Sequence, residues 1–113
     1  MDSDKTDDRL KEIVKLTRLY DVYGPLLNER KKDIFESYVL DNYSLAEIAD
    51  QVGISRQGVR DIVKRCSKEL EEAEEKLGFL KKMDKLTDKL EKVIEKSVDS
   101  EINDILSGII SEI

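Results

Sequence analysis

Hydrophobic residues recur every three or four positions along most of this chain, which is the spacing of an amphipathic α-helix. The first such run begins near Arg9 and ends at Gly24-Pro25, because the residue before a proline is disfavoured in the α region. Its predicted apolar face comprises Leu10, Ile13, Val14, Thr17 and Tyr20, widened by Leu16, Leu19 and Tyr23. Asn28 is a good cap for a second helix, which is predicted to run to about Leu40. The residues that this helix is expected to bury are Ile34, Phe35, Tyr38 and Val39.

The stretch from Tyr43 to Arg65 has the pattern of a short helix, a tight turn and a second helix. Ser44 and Glu47 have the spacing of a capping box, in which each side chain accepts a hydrogen bond from the backbone of the other residue. Gly53 marks the turn, because glycine adopts the left-handed conformation readily, and Ser55 is placed to cap the second helix. The apolar faces are Ile48, Ala49 and Val52 in the first helix and Val59, Ile62, Val63 and Cys66 in the second. This pattern predicts a helix-turn-helix.

The second helix of this motif has no stop signal before Gly78, so it is predicted to be about six turns long. Its apolar positions continue as Leu70, Ala73 and Leu77. Its second half carries five acids, which are Glu69, Glu71, Glu72, Glu74 and Glu75. Because phosphate groups repel carboxylates, we interpret this acidic half as a spacer or a partner-facing surface.

The last third of the chain is a separate predicted helical segment. Its first apolar seam comprises Leu80, Met83, Leu86 or Thr87, Leu90, Val93, Ile94, Ser97 and Val98. A break is predicted at Asp99-Ser100, with Ser100 as the cap of a final helix. That helix carries an apolar stripe of Ile102, Ile105, Leu106, Ile109, Ile110 and Ile113. Such a stripe has to be buried, either by folding back on the first helix or by pairing with a second copy, and we expect a homodimer.

These elements predict an all-α protein: a helix-turn-helix bundle with a long recognition helix and a C-terminal helical extension. Residues 1–78 are the predicted helix-turn-helix domain, and residues 79–113 are the extension, which is the expected dimerisation segment.

The candidate binding residues lie at the start of the second helix of the motif. They are Arg56, Gln57, Arg60, Lys64 and Arg65. Arginine and glutamine make paired hydrogen bonds to guanine and adenine edges in a major groove, and the N-terminal part of this helix reaches those edges in helix-turn-helix proteins. These residues therefore predict nucleic-acid binding. The alternative is a solvated charged face on a helical pair that docks other proteins.

Charge is unevenly distributed along the 113 residues. The net charge of −6 argues against a general nucleic-acid binder. Between Arg56 and Lys68, however, the sequence has five basic residues and one acid, Asp61, which gives a local charge of +4. This local excess favours one specific docking face.

The residue content also excludes several classes of function. The chain has one cysteine and no histidine, so a disulfide framework and a Cys/His zinc site are unsupported, and Cys66 is expected to be a small buried residue. No nucleophile with a neighbouring base and no glycine-rich phosphate loop is present, so we expect neither an enzyme nor a cofactor. No apolar run is long enough to span a membrane, and the N-terminus lacks a secretory apolar region, so we expect a cytoplasmic protein without membrane contact.

Two families resemble this sequence. The segment Leu27–Leu70 is similar to the DNA-binding fourth region of bacterial sigma factors, through the elements Ser44–Ala49 and Gly53–Arg56. A closer resemblance, over about Arg9 to Lys81, is to the YlxM family of small bacterial helix-turn-helix proteins. It is carried by Leu19–Leu27 (LYDVYGPLL) and by Asp41–Ala49 (DNYSLAEIA).

The resemblance to YlxM implies a regulatory role linked to the signal recognition particle (SRP) pathway. The first hypothesis is therefore a helix-turn-helix regulator in that pathway which binds nucleic acid, either DNA or the SRP RNA. One alternative is a plain DNA-binding transcriptional regulator. The other is an accessory protein that binds the SRP GTPase through protein–protein contacts.

Overall fold

This computed structural model describes the backbone of residues 2–113 and the side chains of residues 7–113. Its six α-helices are α1 Asp2–Tyr23, α2 Glu29–Val39, α3 Leu45–Val52, α4 Arg56–Leu77, α5 Phe79–Lys96 and α6 Ser100–Glu112. A short 3₁₀ helix, Gly24–Leu26, joins α1 to α2. The described residues contain no strand, and the predicted all-α helix-turn-helix fold with its long second helix is confirmed. The first helix starts at Asp2, earlier than the predicted start near Arg9.

The chain divides into two compact units, one ending at Leu77 and the other beginning at Gly78. The first unit is built around α4, which contacts α1, α2 and α3. The large side chains that are almost completely hidden in its core are Ile34, Phe35, Ile48, Val59, Cys66 and Leu70. Removing one such side chain from water stabilises the fold by about 1.5–3 kcal/mol, so the long helix is fixed to this unit from Val59 to Leu70.

Local sequence signals fix most of the helix ends. The Asn28 side chain accepts a hydrogen bond from the Lys31 amide at 2.9 Å. Ser44 and Glu47 form the predicted capping box, with Ser44 Oγ 3.1 Å from the Glu47 amide nitrogen. Gly53 turns the chain at φ 78°, and Ser55 Oγ accepts from the Gly58 amide at 2.9 Å to open α4.

The apolar face predicted for α1 is wrong in part. Leu10 and Val14 are more than half exposed, whereas Leu16, Leu19 and Tyr23 are buried. The sequence of α1 carries two overlapping apolar stripes, and periodicity alone does not say which of them meets the core. The stripe near the end of α1 is the buried one.

Two further residues predicted for the core lie at its edge. Val52, the last residue of α3, is 38% exposed. Tyr38 is only half-buried, since its ring lies at the surface beside α3 and α4. The other residues that α2 was expected to bury are buried.

Three of the five acids in the second half of α4 contact neighbouring helices, which corrects the interpretation of this half as a spacer or partner surface for those three; Glu72 and Glu75 stay exposed. Glu69 pairs with Lys31 Nζ of α2 at 2.7 Å, and Glu71 pairs with Lys15 Nζ of α1 at 3.2 Å. The Tyr23 hydroxyl donates to Glu74 at 2.7 Å. Three of the five acids therefore hold α4 against α1 and α2.

The second unit is a pair of helices, α5 and α6, packed against each other. The break between them is where the sequence predicted it, but its cap is Asp99, not Ser100. The Asp99 carboxylate accepts from the amides of Glu101 at 2.9 Å and Ile102 at 3.1 Å. Neither helix has a buried residue. The large side chains left exposed include Leu86, Val93, Val98, Ile102, Ile105, Ile109 and Ile113.

Candidate nucleic-acid interface

The first turns of α4 present polar side chains to solvent because their apolar side is fixed in the core. Val59 is fully buried and Val63 is 8% exposed. The five predicted binding residues, Arg56, Gln57, Arg60, Lys64 and Arg65, are all exposed. The helix-turn-helix thus offers the polar side of its second helix to a ligand.

Helical geometry brings four of these five residues together. An α-helix turns by about 100° per residue, so Arg60, Lys64 and Gln57 lie within roughly 100° of Arg56 around the axis of α4. Arg65 lies roughly 180° from Arg56 but about 80° from Gln57. One groove can therefore receive Arg56, Gln57, Arg60 and Lys64, and Arg65 lies at the edge of this group.

Asp61 lies on the same exposed surface, as the sequence pattern predicts, although it was not among the predicted binding residues. Gln57 Nε2 donates to Asp61 Oδ1 at 2.9 Å, across one turn of the helix. The carboxylate thereby orients the Gln57 amide, which retains a second N–H donor and a carbonyl acceptor that can make base contacts. The four-residue spacing of the two side chains was the signal that could have found this pair.

A cleft lies beside the same surface, between α2, α3 and α4. Its lining residues are Tyr38, Leu45, Arg60, Val63 and Lys64. Arg60 and Lys64, one turn apart, thus border a cleft that α2 and α3 help to form. The sequence pattern placed Tyr38 in the core because its spacing matches that of Ile34 and Phe35.

Two basic residues at the start of α2, Lys31 and Lys32, lie close to carboxylates of the protein itself. Lys31 is paired with Glu69 at 2.7 Å, and Lys32 lies 4.0 Å from Glu29. Their charges are therefore partly compensated where they stand. The start of α4 is the stronger basic surface of this unit.

Two groups in the core titrate unusually. Burial raises the pKa of the Cys66 thiol to about 11, and the nearby Glu69 carboxylate adds to the rise while Lys31 opposes it. Burial and a hydrogen bond to Glu36 raise the pKa of Tyr20. Both groups stay neutral at physiological pH and belong to the packing of α1, α2 and α4.

Metal-binding clusters and membrane-spanning helices are both missing from the part of the chain that the structure describes. No group of three or more His, Cys, Asp or Glu side chains that could hold a metal ion occurs among the described residues. Within the same part of the chain, none of the helices has the length and apolar character needed to cross a bilayer.

Comparison with known proteins gives a family match over most of the chain. The UPF0122 family model, described as "Putative helix-turn-helix protein, YlxM / p13 like", matches residues 10–107. These residues include both helices of the helix-turn-helix and most of the second unit.

Several bacterial proteins of that name are similar in sequence. The chain is 44% identical to the UPF0122 protein of Symbiobacterium thermophilum over 71 residues, which are 63% of this chain and 66% of that protein. It is 51% identical to that of Caldanaerobacter subterraneus subsp. tengcongensis over 71 residues, 63% and 61% of the two chains. With the Geobacillus kaustophilus protein the identity is 42% over 76 residues, 67% and 69%. The matched stretch spans less than two thirds of the first two relatives.

Proposed function

We propose that this chain, which belongs to the UPF0122 family of YlxM- and p13-like helix-turn-helix proteins, is a nucleic-acid-binding regulatory protein. Its action is binding, not catalysis. In this proposal the first turns of α4 enter the major groove of a duplex, and Arg56, Gln57, Arg60 and Lys64 contact it.

The observation that carries the proposal is the arrangement of these four side chains. All four are exposed within roughly 100° around the axis of a helix whose Val59 and Val63 are buried in the core. Three carry positive charge, which suits a phosphate backbone, and arginine and glutamine also suit base edges. A protein-docking surface would not need this concentration of positive charge in a chain with a net charge of −6.

The test is a titration of fluorescent duplex DNA with the whole protein at fixed salt, followed by anisotropy. Replacing Arg56 with alanine is expected to weaken binding by about 1–3 kcal/mol if it contacts a base edge. Arg65→Ala is the comparison, because it removes the same charge from the edge of the group, farthest from Arg56 around α4, and should cost less. Equal losses for the two variants, or no binding by the wild type, would contradict the proposal.

A finer proposal is that the regulation acts in the SRP pathway in the bacterial cytoplasm. Its support is the resemblance of Leu19–Leu27 and Asp41–Ala49 to YlxM. The acids Glu72 and Glu75 of α4 are exposed and remain available to a basic partner such as the SRP GTPase. Because A-form RNA hides its base edges in a deep groove, binding to the SRP RNA would depend on backbone shape.

A competition experiment separates these partners. Duplex DNA, SRP RNA and the SRP GTPase are each titrated with the wild type and with an Arg56→Ala/Arg60→Ala/Lys64→Ala variant. Binding of RNA or GTPase tighter than about 10 µM, roughly −7 kcal/mol, supports the SRP role. Binding to DNA alone would leave a plain transcriptional regulator.

We also propose that the protein is a homodimer formed through residues 79–113. The support is the absence of any buried residue in α5 and α6, although both carry many large apolar side chains. A twofold dimer would present two recognition helices to paired half-sites. Light scattering on the whole chain and on a version ending at Gly78 tests this, and a monomeric whole chain at tens of micromolar would exclude it.

A further inference from the structure

We infer that the cleft between α2, α3 and α4 binds a single backbone phosphodiester group of the duplex, held by Arg60, Lys64 and Tyr38 together. This inference rests on the proposed function and deepens it, because it assigns separate tasks to the residues of α4.

The composition of the cleft favours an anion. Two of its five lining residues, Arg60 and Lys64, are cationic, and none of the five is acidic. The other walls are the apolar side chains of Leu45 and Val63 and the ring of Tyr38. With no carboxylate among the lining residues, the net charge of the cleft is positive, which favours an anion.

The side chains that line the cleft include donors of the kinds that bind phosphate groups. The Arg60 guanidinium can donate two parallel hydrogen bonds to phosphate oxygens, and the Lys64 ammonium acts as a compact charge. The Tyr38 hydroxyl is a neutral donor from a different helix. Because α2 is fixed by Ile34 and Phe35, both at most 1% exposed, a phosphate bound here would have a defined position relative to the core.

A phosphate in this cleft would set the register of α4 on the duplex. Contacts to phosphate position a protein, whereas contacts to base edges specify the sequence. Arg60 and Lys64 would then be positioning residues. Arg56 and Gln57, one turn closer to the start of α4, would read the bases, with Gln57 oriented by Asp61.

The experiment measures how the affinity for duplex DNA falls as the KCl concentration rises from about 50 to 200 mM. A plot of log affinity against log salt has a slope of about −0.9 for each phosphate that the protein neutralises. The proteins are the wild type, Arg60→Gln, Lys64→Gln, the double variant, Tyr38→Phe, and Lys76→Gln as a control. Lys76 is exposed and lies in the last turn of α4, far from the cleft. Two duplexes are used, one rich in A·T and one rich in G·C pairs.

If Arg60 and Lys64 share one phosphate, the double variant should make the slope less steep by about 0.9 in total, since the two cations neutralise the same charge. Tyr38→Phe should weaken binding about fivefold, the loss of one neutral hydrogen bond, with an unchanged slope. All these losses should be equal on the two duplexes, and Lys76→Gln should behave as the wild type.

Other results overturn the inference in distinguishable ways. If the slope of the double variant is less steep by about 1.8, Arg60 and Lys64 neutralise two separate phosphates. Losses that differ between the two duplexes would make Arg60 or Lys64 a base reader. A Tyr38→Phe variant with wild-type affinity would remove the third donor. In each of these cases the wild type still binds DNA and the proposed function stands, whereas a wild type that binds neither duplex overturns both.

Discussion

The unit that ends at Leu77 and the unit that begins at Gly78 are both built from amphipathic helices, yet they bury their apolar residues to different extents. In the first, α4 is in contact with three other helices and Phe35, Val59, Cys66 and Leu70 are completely hidden. In the second, two helices contact each other and no residue is buried. Two helices cover only one side of each other, so a closed core needs a third element. An amphipathic pattern therefore identifies a face that needs covering without identifying what covers it.

The largest contrast is expected from removing one apolar side chain from each unit. Phe35→Ala should destabilise the protein by about 3–5 kcal/mol, because the buried ring leaves a cavity, and its centroid lies 5.4 Å from that of Tyr20. Ile105→Ala, at a side chain that is 59% exposed in the single chain, should change stability by less than about 0.5 kcal/mol at protein concentrations where the proposed homodimer is dissociated. Urea unfolding measures both. A large, concentration-dependent loss for Ile105→Ala would show that the second unit is covered by another copy.

The next contrast concerns pH, since the first unit hides a titratable thiol. The pKa of Cys66 is raised to about 11 from its ordinary value near 9. Unfolding lets the thiol ionise at the lower value, so this contribution to stability is full below pH 9 and is lost as the pH rises to about 11. The loss is on the order of 2 kcal/mol.

The measurement for Cys66 is unfolding free energy against pH for the wild type and for Cys66→Ala. Lysines and tyrosines titrate in both proteins, so the difference between the two curves isolates the thiol. Parallel curves between pH 9 and pH 11 would mean that the thiol ionises equally easily in the folded protein.

A third prediction tests how closely α3 packs. Ala49 is 7% exposed in a helix that contacts α4. Ala49→Leu should therefore overpack the helix pair and destabilise the first unit by about 1–3 kcal/mol. Thermal unfolding measures this, with Ala46→Leu in the same helix as the control because Ala46 is only partly buried. Equal melting temperatures for the two variants would place the close contact elsewhere.

The smallest expected effect compares one cap from each unit. Asn28 caps α2, and Asp99 caps α6 with two hydrogen bonds. Replacement of either by alanine should cost about 1 kcal/mol locally. Asn28→Ala should lower the global unfolding free energy by that amount, whereas Asp99→Ala should mainly increase amide hydrogen exchange at the start of α6. Loss of exchange protection throughout α5 after Asp99→Ala would show a more cooperative second unit than its lack of buried residues implies.

Sequence patterns predicted the helix-turn-helix well because its signals are local. Ser44, Glu47, Gly53 and Ser55 act on backbone groups within three or four residues of themselves, so spacing alone is sufficient. The face of α1 was misjudged because the choice between Leu10 and Leu16 depends on helices far away in the sequence. The pairing of Glu69 with Lys31 was missed for the same reason, since 38 residues separate the two in the sequence.

The candidate site was predictable to a similar extent. Arg56, Gln57, Arg60 and Lys64 follow from the motif, and the helical repeat is sufficient by itself to place Arg65 at the edge of this group. The role of Tyr38 could not be predicted from the sequence, because its place beside Arg60 and Lys64 depends on how α2 packs against α4. Patterns within one helix are visible in a sequence, and clefts between helices are not.

The division of α4 into a basic and an acidic half also bears on how the protein meets a polyanion. The 22 residues of this helix span about 33 Å. Its basic end is its N-terminus, where the backbone dipole is also positive. As the protein approaches a nucleic acid, the negative field attracts the basic end of α4 and repels the Glu71–Glu75 end. The resulting torque rotates the protein so that the basic end faces the nucleic acid. A chain of net charge −6 would thus arrive already aligned, and salt would slow its association by shortening the range of that alignment.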